Sequence, residues 1–270
     1  IAYLTGDKVI APKSPNIEII YLGLNGVNSF VSASLKYRQL IRKFCPDVVH
    51  AHMVHANIFT RLNRIGAKVP RLISSAHSNN EGGRNRMLAY RATHHLADYT
   101  SNVSQNACKN FRQLKAVPNN DIHVVYNGVD INKFTYHAHA LKSPKIKNEK
   151  IFISVGRFHE AKDYPNLIQA YTLLSRNNNH FPITLKIVGQ IDELIYPVIR
   201  KLVDSSQLTD NVEIMGKRDD IPDLLAQADF LVLSSKYEGL PTVVIEAMAS
   251  GTFVIATDCG GTAEIMGDTG

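Results

Sequence analysis

The feature that most constrains the fold is a regular alternation of short apolar runs with longer amphipathic runs along the chain. In the second half, apolar runs such as KIFISVG (150–156), ITLKIVG (183–189) and DFLVLSS (229–235) are each followed by a helical pattern. The first half repeats this arrangement, with strand-like runs that include DVVHAH (47–52) and RLISSAH (71–77). Short strands that alternate with helices are typical of right-handed βαβ units and of a parallel sheet covered on both faces. The sequence therefore predicts an α/β fold.

The two halves are separated by a polar segment without periodicity, YHAHALKSPKIKNE (136–149). A chain of 270 residues is long enough for two ordinary domains. We predict two Rossmann-like parallel-sheet domains, residues 1–135 and 150–270, which are joined by this linker and face a cleft.

The distribution of charge differs between the halves. Residues 1–150 contain 21 lysines and arginines against 8 acidic residues, whereas residues 151–270 contain 9 against 16. Such asymmetry indicates contact with an anionic surface, although a solvated basic face without a partner would carry the same charge. Part of the positive charge falls on two predicted helices: Lys36, Arg38, Arg42 and Lys43 on one, Arg84, Arg86 and Arg91 on the other.

Other sequence signals indicate a cytoplasmic location. No apolar run approaches the roughly 20 residues that a membrane-spanning helix needs, and the start lacks the pattern of a secretory signal. Three scattered cysteines predict neither a disulfide framework nor a cysteine zinc site.

Two glutamates lie eight positions apart in EGLPTVVIEAMASG (238–251). Glu238 follows a predicted strand on a loop that contains Gly239, Pro241 suits the first helical turn, and Glu246 lies on the helix. Ligands of open α/β sheets bind at the carboxyl ends of the strands, and carboxylates accept hydrogen bonds from sugar hydroxyls. The sequence therefore suggests a hydroxyl-rich ligand, but Glu238 could instead only favour the helix dipole while Glu246 lies on the surface.

Two other strand ends carry unusual residues. After the strand that ends at Gly156 come Arg157 and Lys162, and two cations on such a loop suit a diphosphate. Gly260 and Gly261 follow a later strand, where they suit either close approach to a ligand or a tight turn.

These motifs together resemble a known family. EGLPTVVIEAMASG resembles the E-x7-E signature of retaining glycosyltransferases with the GT-B fold, and the chain as a whole is similar to glycosyltransferase family 4. Further matches occur in the family's order: PDVVHAH, VVYNGVDINKF, VGRFHEAKDYPNLIQA, LKIVGQ and CGGTAEI. By this resemblance we expect a fragment that lacks the family's opening strand with its glycine-rich loop, and also its closing helices.

The resemblance implies specific roles for several residues. Arg157 and Lys162 would hold the donor's diphosphate, Glu238 would contact the transferred sugar, and Glu246 would bind the nucleotide ribose. His77 would face the donor sugar. The remaining residues that the resemblance assigns to donor binding are Gly156, Gly189, Gly239, Leu240, Pro241 and Thr242. Gln190 stands where the family often has a second glycine, so it departs from the pattern.

The implied reaction is transfer of a sugar, with retention, from a nucleotide-diphosphate sugar to a hydroxyl acceptor. A UDP-sugar is favoured as the donor, and a lipid-linked saccharide of surface polysaccharide synthesis as the acceptor. We expect no metal requirement, since the sequence contains no D-x-D triplet, and no other cofactor. We also expect no nucleic-acid partner, and contact with the inner face of the plasma membrane as a peripheral protein.

Three histidines of the first half offer a rival site. His50, His52 and His55 have the spacing of an H-x-H-x-x-H metal motif, but Val54 stands where metallo-β-lactamase-like hydrolases have aspartate. Because DVVHAH looks like a buried strand, we expect His50 to be packed and the histidines to be neutral groups that line the cleft.

Rival functions remain as well. The chain has no G-x-G-x-x-G and no P-loop motif, which argues against dinucleotide and NTP binding. A glycosidase needs two carboxyl groups that flank one bond, and a helical Glu246 beside a diphosphate site suits ribose better. A nucleotide-sugar 2-epimerase with the same architecture, or a non-catalytic nucleotide-sugar-binding protein, stays open.

Overall fold

The structure is a computed structural model that describes residues 1–6, 12, 14–118, 121–135, 148–178 and 180–269. The chain divides into two compact units, Ile1–Tyr126 and Asn127–Gly270. The predicted linker lies outside the described residues except for its last two, so the predicted domain boundaries stay predictions.

The first unit is built from parallel strands and helices. A two-stranded sheet pairs β1 (Ala2–Tyr3) with β2 (Ile20–Tyr21). A four-stranded sheet has the order β3-β4-β5-β6. Its strands are β3 (Val48–His52), β4 (Arg71–Ser75), β5 (Tyr99–Asn102) and β6 (His123–Val124). The helices are α1 (Phe30–Phe44), α2 (Met53–Arg64), α3 (Arg84–Thr93) and α4 (Gln105–Gln113).

The second unit contains a five-stranded parallel sheet of order β11-β10-β7-β8-β9. Its strands are β7 (Lys150–Val155), β8 (Ile183–Val188), β9 (Val212–Gly216), β10 (Phe230–Leu233) and β11 (Phe253–Ala256). Its helices are α5 (Tyr164–Asn177), α6 (Tyr196–Ser205), α7 (Ile221–Gln227), α8 (Thr242–Ala249) and α9 (Thr262–Met266). The strand order reverses between β7 and β10, which is where open α/β sheets bind ligands.

Both faces of this sheet are buried. On the central strand β7, Phe152 packs into one apolar cluster with Leu167 of α5, whereas Ile151 and Ile153 pack into another with Val244 of α8. Side chains of successive strand residues point to opposite faces, so a strand covered on both sides reads as a continuous apolar run. The predicted α/β fold with parallel sheets is confirmed.

Helix α1 is amphipathic and contributes one face to the core of the first unit. Ala33, Tyr37 and Ile41 are buried at i, i+4 spacing, and Tyr37 packs edge-on against Phe59 of α2, with ring centroids 5.5 Å apart. Arg38, one of the basic residues of this helix, is partly buried, and its Nε donates to Asn63 Oδ1 at 3.2 Å across the helix pair.

The expected burial of His50 is also wrong. In the described part of the chain β3 is an edge strand paired only with β4, and Ala51 is its one buried residue. An apolar run looks the same in sequence whether it lies at the centre or at the edge of a sheet. Among the described residues, no helix is both long and apolar enough to cross a bilayer.

Candidate functional site

The loops that follow β7 and β10 meet at the carboxyl edge of the second-unit sheet. Lys162 Nζ and Glu238 Oε1 form an ion pair at 2.6 Å, and their side chains are only 21% and 16% exposed. The Ser235 hydroxyl donates to the same carboxylate oxygen at 2.7 Å. Two of the sequence-predicted site residues, 76 positions apart, are therefore in direct contact.

Further hydrogen bonds fasten these two loops to each other. The Ser234 hydroxyl donates to the carbonyl of Lys162 at 2.7 Å, and the N–H of Lys236 donates to the carbonyl of Ala161 at 2.8 Å. The Lys236 ammonium lies 3.5 Å from Asp163 Oδ1. Since both backbones are tied, the ion pair is held by the fold as well as by its own attraction.

Gly156 provides space for the lysine. A Cβ at this position would lie 2.7 Å from Lys162 Cε, so any other residue would push the lysine away. The Tyr164 hydroxyl donates to the carbonyl of Gly156 at 2.6 Å and holds the loop down. Burial, and then the charge of Glu238, raise the pKa of Tyr164, which keeps it a neutral donor.

The conformation of Gly260 distinguishes between the two roles that the sequence left open for the glycine pair, a tight turn or close approach to a ligand. It has φ +59°, which suits a turn, and a Cβ there would collide with the carbonyl of Glu238. The N–H of Gly261 donates to the carbonyl of Gly239 at 3.0 Å. The pair thus makes a turn that presses against the Glu238 loop.

A pocket of about 260 Å³ opens beside this ion pair. Its lining is formed by Val155, Gly156, Arg157, Val188, Gly189, Gln190, Lys217, Arg218 and Ile221. The Arg157 and Lys217 side chains are exposed and have no partner among the described residues. Arg218 is bound through two hydrogen bonds to Asp220, at 2.8 and 2.6 Å. The pocket therefore brings three cations to the ends of β7 and β9.

Sequence reasoning missed three of these residues. Ser235 escaped notice because a serine at the end of a strand is common. Lys217 and Arg218 follow β9 as closely as Arg157 follows β7, and the same strand-end rule would have found them.

Glu246 lies on α8, half buried, and no described contact joins it to Lys162 or Glu238. Its carboxylate has no hydrogen-bond or ion-pair partner in the described ranges. Burial raises its pKa. Hydrogen bonds donated by a ligand would stabilise such a desolvated carboxylate, because they offset the cost of its burial.

The other predicted binding residues connect Glu238 to α8. Leu240 is buried, Pro241 is the N-cap residue, and Thr242 is the first helical residue. These residues lead the chain from Glu238 into α8 and so position the N-terminus of this helix, which attracts anions.

His77 belongs to the first unit, where it lies just beyond β4. Its Nε2 is 2.9 Å from Nδ1 of His52, and the His52 ring lies tilted by 37° against His50 with centroids 4.0 Å apart. Burial and then the neighbouring His52 lower the pKa of His77. Partial desolvation by its neighbours, followed by the charges of His52 and His77, lowers the pKa of His50, although much of its side chain is exposed. These shifts favour neutral imidazoles at neutral pH.

The geometry does not assemble a metal site from the histidine motif. His50 Nε2 is 2.7 Å from the Ser75 hydroxyl, while His52 is hydrogen-bonded to His77. Within the described residues, no group of three or more His, Cys, Asp or Glu side chains is arranged to hold a metal ion.

Comparison with known sequence families places both halves of the chain. The family described as Glycosyltransferase Family 4 matches residues 9–133, and the family described as Glycosyl transferases group 1 matches residues 137–270.

Curated relatives cover much of the chain at moderate identity. The N-acetyl-alpha-D-glucosaminyl L-malate synthase of Bacillus anthracis is 31% identical over 181 residues, which are 64% of this chain. The UDP-Gal:alpha-D-GlcNAc-diphosphoundecaprenol alpha-1,3-galactosyltransferase of Escherichia coli is 26% identical over 83% of the chain. The alignments span only 45% and 60% of these two relatives, so the chain corresponds to about half of their length.

Solved structures with a similar fold match most of the chain. Anabaena HepE, in complex with UDP and glucose, matches 92% of the chain with a TM-score of 0.78 at 20% identity, over 68% of its own length. The sucrose-phosphate synthase of Thermosynechococcus elongatus matches 96% of the chain with a TM-score of 0.81 at 21% identity, over 71% of its own length. Likenesses at this level of identity establish the fold.

Proposed function

Because the chain belongs to glycosyltransferase family 4 and has the GT-B fold, we propose that it transfers a sugar from a nucleotide-diphosphate sugar to a hydroxyl acceptor, with retention at the anomeric carbon. One observation carries the proposal. The Lys162–Glu238 ion pair lies at the sheet edge beside a pocket lined by Arg157, which has no partner among the residues that the structure describes. A cation for phosphate and a carboxylate for hydroxyls are thus adjacent.

Lys162 and Arg157 bind the diphosphate in this proposal. The guanidinium offers a planar fork and the ammonium a point charge, and both stabilise the negative charge that develops as the diphosphate leaves. With two cations at the leaving group, we propose that no metal ion is required.

Glu238 accepts hydrogen bonds from the sugar hydroxyls. We propose no covalent intermediate on Glu238, in keeping with the front-face attack that the family resemblance implies. The bond from the anomeric carbon to the phosphate oxygen breaks while the acceptor oxygen attacks from the same face. The acceptor's proton passes to the departing phosphate. Retention follows from this front-face geometry.

Glu246 binds the ribose of the nucleotide. Its support is the half-buried carboxylate that has no partner among the described residues, together with the family resemblance. Vicinal hydroxyls would supply the donors that this carboxylate lacks.

The base is uracil. The charged group of the pocket that is left for the base is Lys217, which is a donor, because the Asp220 carboxylate is already occupied by Arg218. Uracil presents two carbonyl acceptors and a single ring N–H donor, whereas guanine presents three donor hydrogens, on its amino group and ring nitrogen, that need acceptors. The complex of HepE with UDP supports the same choice.

The acceptor is a lipid-linked saccharide of polysaccharide synthesis. By its name, the E. coli relative acts on a sugar linked to diphosphoundecaprenol, and a Staphylococcus aureus relative is named as a capsular polysaccharide glycosyltransferase. We place the protein on the cytoplasmic side of the membrane as a peripheral protein.

The exposed face of α1 supports contact with an anionic membrane. Val31 and Leu35 are 67% and 57% exposed, and Lys36, Arg42 and Lys43 lie on the same helix and are exposed. A helix with exposed apolar and basic residues suits an anionic lipid surface.

We also propose that His77 faces the donor sugar. The support for this role is the family resemblance.

The test of the proposed function is to incubate the full-length gene product with UDP-sugars and a saccharide acceptor, and to read the anomeric configuration of the product by NMR. A reaction without acceptor is the control. Isomerised donor in that control would indicate a 2-epimerase, and binding of UDP with no turnover of any donor would indicate a binding protein; either result contradicts the proposal.

A further inference from the structure

Glu81 is a buried carboxylate to which the sequence assigned no role. It lies in the loop between β4 and α3, and it is only 7% exposed. Its two oxygens accept from two different backbone groups: Oε1 from the N–H of His77 and Oε2 from the N–H of Val54, each at 2.9 Å. We call these two hydrogen bonds the Glu81 bridge.

The Glu81 bridge joins the ends of two neighbouring strands. His52, the last residue of β3, is paired in register with Ser75, the last residue of β4. Val54 comes two residues after His52, and His77 comes two residues after Ser75. The carboxylate therefore holds together the two backbone segments that carry His52 and His77.

The backbone at the bridge is held away from its preferred conformations. Met53, between His52 and Val54, has φ 72°, and Glu81 itself has φ 25°. Such conformations cost a non-glycine residue about 1–3 kcal/mol and persist only where surrounding contacts impose them. Charge-assisted hydrogen bonds and the N-terminus of α2 offset the burial of the carboxylate.

The loop around Glu81 is itself well fastened. The N–H of Glu81 donates to the Ser78 hydroxyl at 2.9 Å, and Arg86 donates to the Glu81 carbonyl at 3.0 Å. The Asn102 amide donates to the carbonyl of Ser78 at 3.1 Å. These hydrogen bonds hold the Glu81 carboxylate in place, and the carboxylate in turn positions the two backbone segments that carry His52 and His77.

We propose that Glu81 is a positioning residue whose bridge sets the hydrogen bond between His52 and His77, and thereby the direction in which the His77 imidazole presents its free nitrogen. In an N–H···N pair one nitrogen must donate and the other accept. The pair therefore makes the tautomer of His77 depend on that of His52, and it fixes the orientation of the ring. The part of this inference that concerns the donor sugar rests on the proposed function.

Loss of the bridge has a direct spectroscopic readout. In the 270-residue chain labelled with ¹⁵N at histidine, we expect a scalar coupling across the hydrogen bond between His52 Nδ1 and His77 Nε2. Glu81→Gln replaces one acceptor oxygen by an NH₂ group that faces a backbone N–H, and we expect the coupling to disappear. Glu81→Asp keeps the charge but shortens the reach by a methylene, so it provides a second variant if the glutamine variant does not fold.

Asp98→Asn is the matched control. Asp98 Oδ2 accepts from the N–H of Leu72 at 2.7 Å, near the opposite end of β4, so this variant also removes a carboxylate that anchors strand backbone. We expect it to keep the His52–His77 coupling. A coupling that survives in both Glu81 variants, or that is lost equally in Asp98→Asn, would overturn the positioning role.

Donor turnover tests the catalytic part separately. Because misplacement of a positioned group by about 1 Å can cost roughly a hundredfold in rate, we expect Glu81→Gln to lower kcat about ten- to hundredfold with little change in KM. Added to His77→Ala, it should have almost no further effect. An unchanged kcat in a variant without the coupling would overturn the catalytic part. If the unaltered protein turned over no donor, the proposed function would fail while the NMR result would still decide the bridge.

Discussion

Lys162 and Glu238 neutralise each other, with Nζ and Oε1 2.6 Å apart at the carboxyl edge of the second-unit sheet. A diphosphate that binds Lys162 must therefore compete with Glu238 for the ammonium. When it succeeds, the Glu238 carboxylate becomes available to sugar hydroxyls while Ser235 still holds it. We therefore propose that this single exchange couples diphosphate binding to sugar recognition.

The cations should recognise phosphate and not nucleoside. We expect Lys162→Ala and Arg157→Ala each to weaken binding of UDP by about 1.5–3 kcal/mol, the scale of charge-assisted hydrogen bonds, with little effect on uridine. Calorimetry with both ligands measures this. Lys201→Ala, an exposed lysine on α6, is the control and should change neither. Equal losses for UDP and uridine would contradict the role.

Glu238→Gln should separate affinity from turnover. The variant removes the competitor of the diphosphate, so affinity for UDP should rise about two- to fivefold, on the scale of a partly exposed ion pair of up to about 1 kcal/mol. Turnover of the UDP-sugar should fall, because the amide is a weaker acceptor for sugar hydroxyls. Titration and steady-state kinetics give the two numbers. A loss of UDP affinity with normal turnover would exclude the exchange.

Glu246→Gln should weaken the nucleotide and stabilise the free protein. The loss of charge-assisted bonds to ribose hydroxyls should cost about ten- to hundredfold in affinity for both uridine and UDP. Burial raises the pKa of Glu246, so the folded state holds its proton more tightly than the unfolded state. The contribution of this group to the free energy of unfolding is present below the unfolded pKa and is lost as pH rises through the folded pKa.

The pH dependence provides the check on Glu246. Above the folded pKa, Glu246→Gln should increase the free energy of unfolding, and in acid the difference from the unaltered protein should vanish. Urea unfolding at several pH values measures this. A variant that is less stable at neutral pH would show that the carboxylate has a partner in the folded state.

Lys217→Met should weaken recognition of the nucleotide base. Since Lys217 is an unpartnered pocket donor in the described part of the chain, we expect uridine and UDP to lose similar affinity, roughly tenfold for a hydrogen bond from a charged group. The preference for UDP over GDP should fall as well. If only UDP were weakened, Lys217 would belong to the diphosphate site instead.

Liposome flotation tests the membrane surface on α1. Each cation near an anionic surface contributes about 1 kcal/mol, so reversing Lys36 and Lys43 to glutamate should abolish most binding to anionic vesicles. Binding of the unaltered protein should fade with salt. Reversal of Arg176 and Lys201 in the second unit changes the net charge equally and should leave binding intact. Equal recovery with neutral and anionic vesicles would remove the membrane from the proposal.

Periodicity alone determined the order of strands and helices. The apolar runs KIFISVG and DFLVLSS became β7 and β10, and the amphipathic runs after them became α5 and α8. Local spacing was sufficient here, because burial on both faces of a parallel sheet demands continuous apolar strands. The strand-end rule also placed Lys162 and Glu238 at the same edge of the sheet.

Only the tertiary structure decided which side chains meet. Nothing in the spacing shows that Lys162 and Glu238 form an ion pair, that Glu81 bridges the segments after β3 and β4, or that His50 lies on an exposed edge strand. Sequence periodicity reports the face on which a residue lies within its own element. The partner on that face depends on strand order and on the path of each loop, and these are set by packing between residues far apart in the chain.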